Sequence, residues 1–218
     1  MGTPEYPSLM SSQATARARE RDLDRLLTFV DAVVAISITL LVLPLVDLTR
    51  DLTENESVAH LLHTHQPELW SFLLSFVVIA RLWFAQHQTV RPLVASHEHV
   101  SALLVLWMLT IAFLPFPTAL VAKAGHQPAT KVLYIGTMAL STLATGLISV
   151  VMRRNPQITD GQAPPDAEPG VISGLLLVLA LVITLVFPAT SYFPLLLLFL
   201  ETPVRLLLRM VRRRSTHR

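Results

Sequence analysis

Four apolar runs, Phe29 to Val46, Leu69 to Gln86, Val100 to Ala122 and Val132 to Met152, are each about as long as a bilayer-crossing helix. A hydrocarbon core of roughly 30 Å takes about 20 mostly apolar residues, and a charge inside it is costly. Asp31 and Arg81 are the only charges in these runs. A chain of 218 residues that is 52% hydrophobic and only 15% charged has room for several such spans and for no large soluble domain.

A fifth apolar block runs uncharged from Gly170 to Leu200, too long for one straight helix, with Pro188 and Pro194 in its second half. Proline removes a backbone donor and clashes with the preceding turn. A turn near Pro188 to Tyr192 therefore predicts two helices here, the second carrying Glu201, Arg205 and Arg209 where long basic side chains snorkel. The fold class expected is all-α, a polytopic six-helix transmembrane bundle with approximate helices at 25–47, 67–90, 98–122, 130–153, 171–187 and 191–210.

Charge distribution decides between five and six spans. With six, all but three of the 17 basic residues, Arg50, Lys123 and Lys131, fall on one side, and the first loop opposite is acidic with Asp47, Asp51, Glu54 and Glu56. The positive-inside rule makes the basic side cytoplasmic. Both termini then lie in the cytoplasm of a cell membrane, with residues 1–24 a mobile arm and 211–218 a basic tail against anionic lipid headgroups. Low lysine and abundant arginine suggest a bacterial chain. Residues 1–24 lack the apolar stretch of a signal peptide. Asn155 to Pro169, rich in proline, glycine and acid, reads as a flexible linker.

The basic residues crowd the ends and short loops, so they mark topology and predict no nucleic-acid partner. No cysteine is present to make a disulfide, a nucleophile or a thiolate site. No nucleotide-binding loop or clustered catalytic groups stand out, so neither an enzyme nor a bound cofactor is expected. His60, His63 and His65, near Glu54 and Glu56, have spacings a metal could use, but the loop offers no fixed tetrahedral set and no metal site is assigned.

The first helix is the most informative segment. At 100° per residue, Ile36, Thr39, Leu40 and Leu43 share one face and Asp31 projects nearly opposite. A carboxylate within a span should face protein or water and have a partner, unless it reaches the inner headgroups and is solvated there. Trp83 and His87 on the second helix are four apart and stack on one face. They form either a contact to the Asp31 region, with His87 as its hydrogen-bond partner and Trp83 wedging the first helix, or an interfacial tryptophan beside a solvated histidine. The aliphatic stripe itself is either pore lining or ordinary packing.

These residues carry a resemblance. Arg25, Phe29, Asp31 and Thr39-Leu40-Leu41-Val42-Leu43 resemble the first helix of the lysosomal-type potassium channels, transmembrane protein 175 and its bacterial relatives. Arg81, Trp83 and His87 resemble the second helix, and Phe113-Leu114-Pro115-Phe116-Pro117-Thr118 the end of the third. The similarity spans roughly residues 25–120. Val30 stands where the family has serine, and Gln86 replaces the first histidine of a pair.

The resemblance implies a homotetramer whose first helices line one central pore for potassium ions. The absence of a Thr-Val-Gly-Tyr-Gly segment agrees with a pore that lacks a carbonyl filter of that type. On this reading Ile36 makes the narrowest ring, Leu40 and Leu43 add apolar rings and Thr39 adds weak polarity. The resulting hydrophobic gate passes potassium modestly better than sodium. Arg25, Phe29, Asp31, Trp83 and His87 form the network supporting the pore helix. The alternative is a proton-coupled secondary transporter with Asp31 and His87 as a relay.

Overall fold

The computed structural model describes residues 6–51, 57–159 and 168–186. Within them α1 spans Tyr6–Leu40, α2 Leu43–Asp47, α3 Val58–Thr64, α4 Gln66–Val90, α5 Glu98–Phe113, α6 Pro115–Ala124, α7 Pro128–Arg154 and α8 Glu168–Val186. Two short 3-10 turns follow α2 and α7. Among the described residues four stretches are long and apolar enough to cross a membrane: Arg17–Arg50, Gln66–Val90, Glu98–Ala124 and Pro128–Arg154. The fifth expected helix, 171–187, corresponds to α8. The sixth, the basic tail and the pair Glu201 and Arg205 lie outside the described residues.

The first helix departs from its expected bounds at both ends. Residues 1–24 were expected as an arm separate from a helix at 25–47, yet α1 is helical from Tyr6 and runs through Arg25 without a break. The segment is rich in alanine, arginine, glutamate, glutamine and leucine, all good helix formers. At the other end the helix stops at Leu40, passes a turn at Leu41 and Val42, and resumes as α2. Pro44 sits in the first turn of α2, where its missing N–H costs least.

The third span breaks in the same way. Pro115 ends α5 at Phe113, and the Leu114 N–H closes the turn on the Thr110 and Ile111 carbonyls, both at 3.2 Å. The chain then restarts as α6, with Pro115 in its first turn.

One face of α1 is buried through Leu23, Val30, Val34, Ser37 and Leu41, spacings of seven, four, three and four that keep a single stripe against neighbours. Val30, Val34 and Leu41 pack with Val78 and Ile79 of α4, Trp107 and Ile111 of α5, Tyr134 and Met138 of α7, and Leu177 of α8. A second cluster joins Leu23 to Val90, Val100, Leu104, Ile148, Met152 and Ile158. Backbone bonds fasten that end, from Val94 N–H to the Ile158 carbonyl at 2.9 Å and from Ser96 N–H to the Arg19 carbonyl at 3.4 Å.

The most enclosed span is α7, which packs on α8, α5, α4 and α6. Small residues allow the close approach: Ala144 and Gly146 of α7 are buried, and a Cβ on Gly174 of α8 would sit 3.3 Å from Leu143 Cδ2.

Candidate functional site

The expected stripe residues are all on the outside of the single chain. Ile36 is 57% exposed, Leu40 41% and Leu43 52%, and Thr39 is exposed between them. Phe29, at 56%, extends the same face one further step toward the N-terminus. Leucine and isoleucine so bare, opposite a tightly packed face of the same helix, form a surface that needs lipid, another protein surface or a pore to cover it.

Asp31 lies off this stripe and meets α4. Its Oδ1 accepts a 2.8 Å hydrogen bond from the Trp83 indole Nε1. The partner expected was His87, but His87 has a different place: its ring centroid is 5.4 Å from that of Trp83, one helical turn along α4. Phe84 lies edge-on to the same indole at 4.9 Å. The indole thus holds α1 to α4 through a charge-assisted bond while aromatic neighbours limit its rotation.

Arg25 and Phe29 are not brought into this group; both are exposed on α1. Arg81 is half-buried beside a cavity of about 40 Å³ lined also by Val78, Leu82, Ala85, Met138, Thr142 and Leu177. This space is nearly all apolar and too small for an ion path through one chain.

Two substitutions noted in the sequence have visible consequences. Val30, 1% exposed, is part of the apolar core, so its methyl groups pack where a serine hydroxyl would need a partner. Gln86 is 2% exposed, and its Nε2 has no hydrogen-bond partner among the described residues.

A buried hydroxyl group that the sequence reading missed ties α4, α6 and α7 together. Ser75 Oγ is 2.9 Å from Tyr134 Oη and 2.8 Å from Thr118 Oγ1, and Thr118 Oγ1 also lies 2.8 Å from the Leu114 carbonyl. The available signal was a tyrosine and two small hydroxyl residues inside otherwise apolar runs, which in a membrane need partners on neighbouring helices. Among the described residues no three histidine or acidic side chains come together to hold a metal.

Residues 25–115, which contain the exposed stripe, the Asp31–Trp83 bond and the Pro115 break, match the family described as Endosomal/lysosomal potassium channel TMEM175. Over that segment the chain is similar to the TMEM175 family. A potassium channel of Chamaesiphon minutus is 34% identical over 112 residues, half of this chain and 53% of that protein. The chain therefore spans about half the length of the curated relative it matches. With stretches long and apolar enough to cross a membrane and a segment similar to the TMEM175 family, the protein is a multi-pass membrane protein. The TMEM175 match ends where α6 begins, so α7 and α8 lie outside it.

Proposed function

We propose that the chain is a subunit of a potassium-permeable channel in which the exposed face of α1, repeated around a symmetry axis, encloses the ion path. The observation that carries this reading is the apolar face of Ile36, Leu40 and Leu43, left uncovered on a helix whose opposite face is packed and whose angle is fixed by the Asp31–Trp83 bond. It lies in the segment shared with the TMEM175 family, and the Chamaesiphon minutus relative bears the name of a potassium channel.

Four copies arranged about one axis bring the Ile36 side chains into a ring, with Leu40 and Leu43 as further rings toward α2 and Thr39 between them. An apolar neck admits ions only when water enters with them or when dehydration is cheap, so it closes by dewetting and favours potassium over the more strongly hydrated sodium. The basic ends face the cytoplasm of a cell membrane in this arrangement, and the C-terminal arginines rest on anionic headgroups.

Purified protein in a planar bilayer under a potassium gradient should give unitary current steps that reverse near the potassium equilibrium potential. Ile36→Asn should raise the current and move the reversal potential toward zero in opposed potassium and sodium. Unchanged selectivity in that variant would remove Ile36 from the neck, and flux without unitary steps would favour a carrier.

A further inference from the structure

Arg81 is one of two charges inside the first four apolar runs, and it borders a groove made by three helices. Val78, Arg81, Leu82 and Ala85 recur at helical spacing and make one stripe of α4. Met138 and Thr142, one turn apart on α7, and Leu177 of α8 complete the lining. Because α7 packs on both α4 and α8, it is the floor and the other two are the walls. Val78, Met138 and Leu177 are buried at the bottom, whereas Arg81 is half-buried and Ala85 exposed toward the mouth. The cavity of about 40 Å³ holds on the order of three water-sized groups, room for a few methylenes. Thr142 offers it no donor, since its hydroxyl hydrogen goes to the Met138 carbonyl at 2.9 Å. The lining thus carries one positive charge, no carboxylate and otherwise nearly all hydrocarbon.

We infer that this groove holds an anionic phospholipid, its phosphate on the Arg81 guanidinium and the first carbons of one acyl chain in the cavity over Met138 and Leu177. A single guanidinium above a hydrocarbon floor matches a phosphate ester joined to a chain, and the planar fork of arginine suits two phosphate oxygens at once. Basic pockets between spans on the cytoplasmic side are where such headgroups settle, and the positive-inside rule puts the Val90 end of α4 there. Arg81 is nine residues from Val90, about 13 Å at helical rise, so its side chain meets a headgroup by extending toward that end. Ala85, one turn nearer the end, is exposed and small, which leaves the route open. Phe84 and Val178, next in sequence to Ala85 and Leu177, are exposed apolar surface along which the rest of the chain can lie. A zwitterionic lipid brings the same phosphate but sets a second cation beside the guanidinium, so the anionic lipid is favoured. The groove is separate from the α1 stripe, and its failure would leave the pore reading untouched.

The test is native mass spectrometry of the full chain taken from vesicles of equal phosphatidylglycerol and phosphatidylcholine. Wild type should retain one phosphatidylglycerol per subunit in preference to phosphatidylcholine. Arg81→Gln should lower that preference about tenfold, the loss expected for one charge-assisted contact. Ala85→Trp, which closes the mouth while keeping Arg81, should lose the retained lipid. Arg91→Gln, at an exposed arginine just beyond α4, should change nothing, which separates this groove from the general attraction of the basic side. No preference in wild type, or one that Arg81→Gln leaves intact, overturns the proposal. An equal loss in Arg91→Gln also overturns it, because the lipid is then held by unspecific headgroup attraction. Should Arg81→Gln elute as aggregate in size-exclusion chromatography, Ala85→Trp alone decides: lipid retained by that variant refutes the groove.

Discussion

At the scale of single residues, polar groups in the apolar interior are either paired or conspicuous. The Asp31–Trp83 bond pairs a carboxylate that would otherwise be costly in a membrane. Trp83→Phe removes the donor and leaves the ring; with Asp31 exposed in the single chain, the expected cost is about 1 kcal/mol, read as a lower unfolding midpoint in detergent. Gln86 is the converse case, a buried amide whose nitrogen lacks a partner among the described residues. Gln86→Met keeps the length and removes the polar group, so the same thermal scan should show a gain of roughly 1 kcal/mol. Helical spacing put Trp83 and His87 on one face, and the family resemblance set them beside Asp31. The sequence could not say which of Trp83 and His87 donates, since that depends on reach across α1 and α4, a property of packing.

Helices and their interruptions belong to the next scale. Apolar run lengths located α4 and α7 to within a few residues because span length is set by the bilayer, while the position of Pro188 placed the end of α8. Breaks were harder to read. Pro44 and Pro115 were visible, yet hydrophobic periodicity runs straight through both, and only the backbone bonds reveal that one helix ends and another starts. The N-terminal extension of α1 was missed for a different reason: charge was weighed above helix propensity in a segment that has both. The hydroxyl group formed by Ser75, Thr118 and Tyr134 braces the restarted α6 against α4 and α7. Tyr134→Phe should cost about 1 kcal/mol in thermal unfolding without altering ion selectivity. Gly174→Val should loosen α8 from α7, because the first added carbon is already at 3.3 Å from Leu143, and proteolysis beyond Arg154 should accelerate.

For the whole molecule, the family segment and the scaffold around it share one core. Val30 and Val34 of α1 pack in the same cluster as Tyr134, Met138 and Leu177, which lie past residue 115. A chain ending after Ala124 would expose that cluster, so it should aggregate in detergent where the full chain elutes as a single peak. Native mass spectrometry of the full chain should give four copies; a single copy that still conducts would be incompatible with a path enclosed between subunits.

The continuity of α1 has a mechanical corollary. Thirty-five residues of helix reach about 52 Å, well beyond a hydrocarbon core of roughly 30 Å, and no proline or glycine interrupts Ser8 to Leu40. The turns beyond the apolar run are thus a stiff lever joined directly to Ile36, and under the proposed pore reading a ligand or neighbouring domain that grips them would twist the Ile36 ring without entering the membrane.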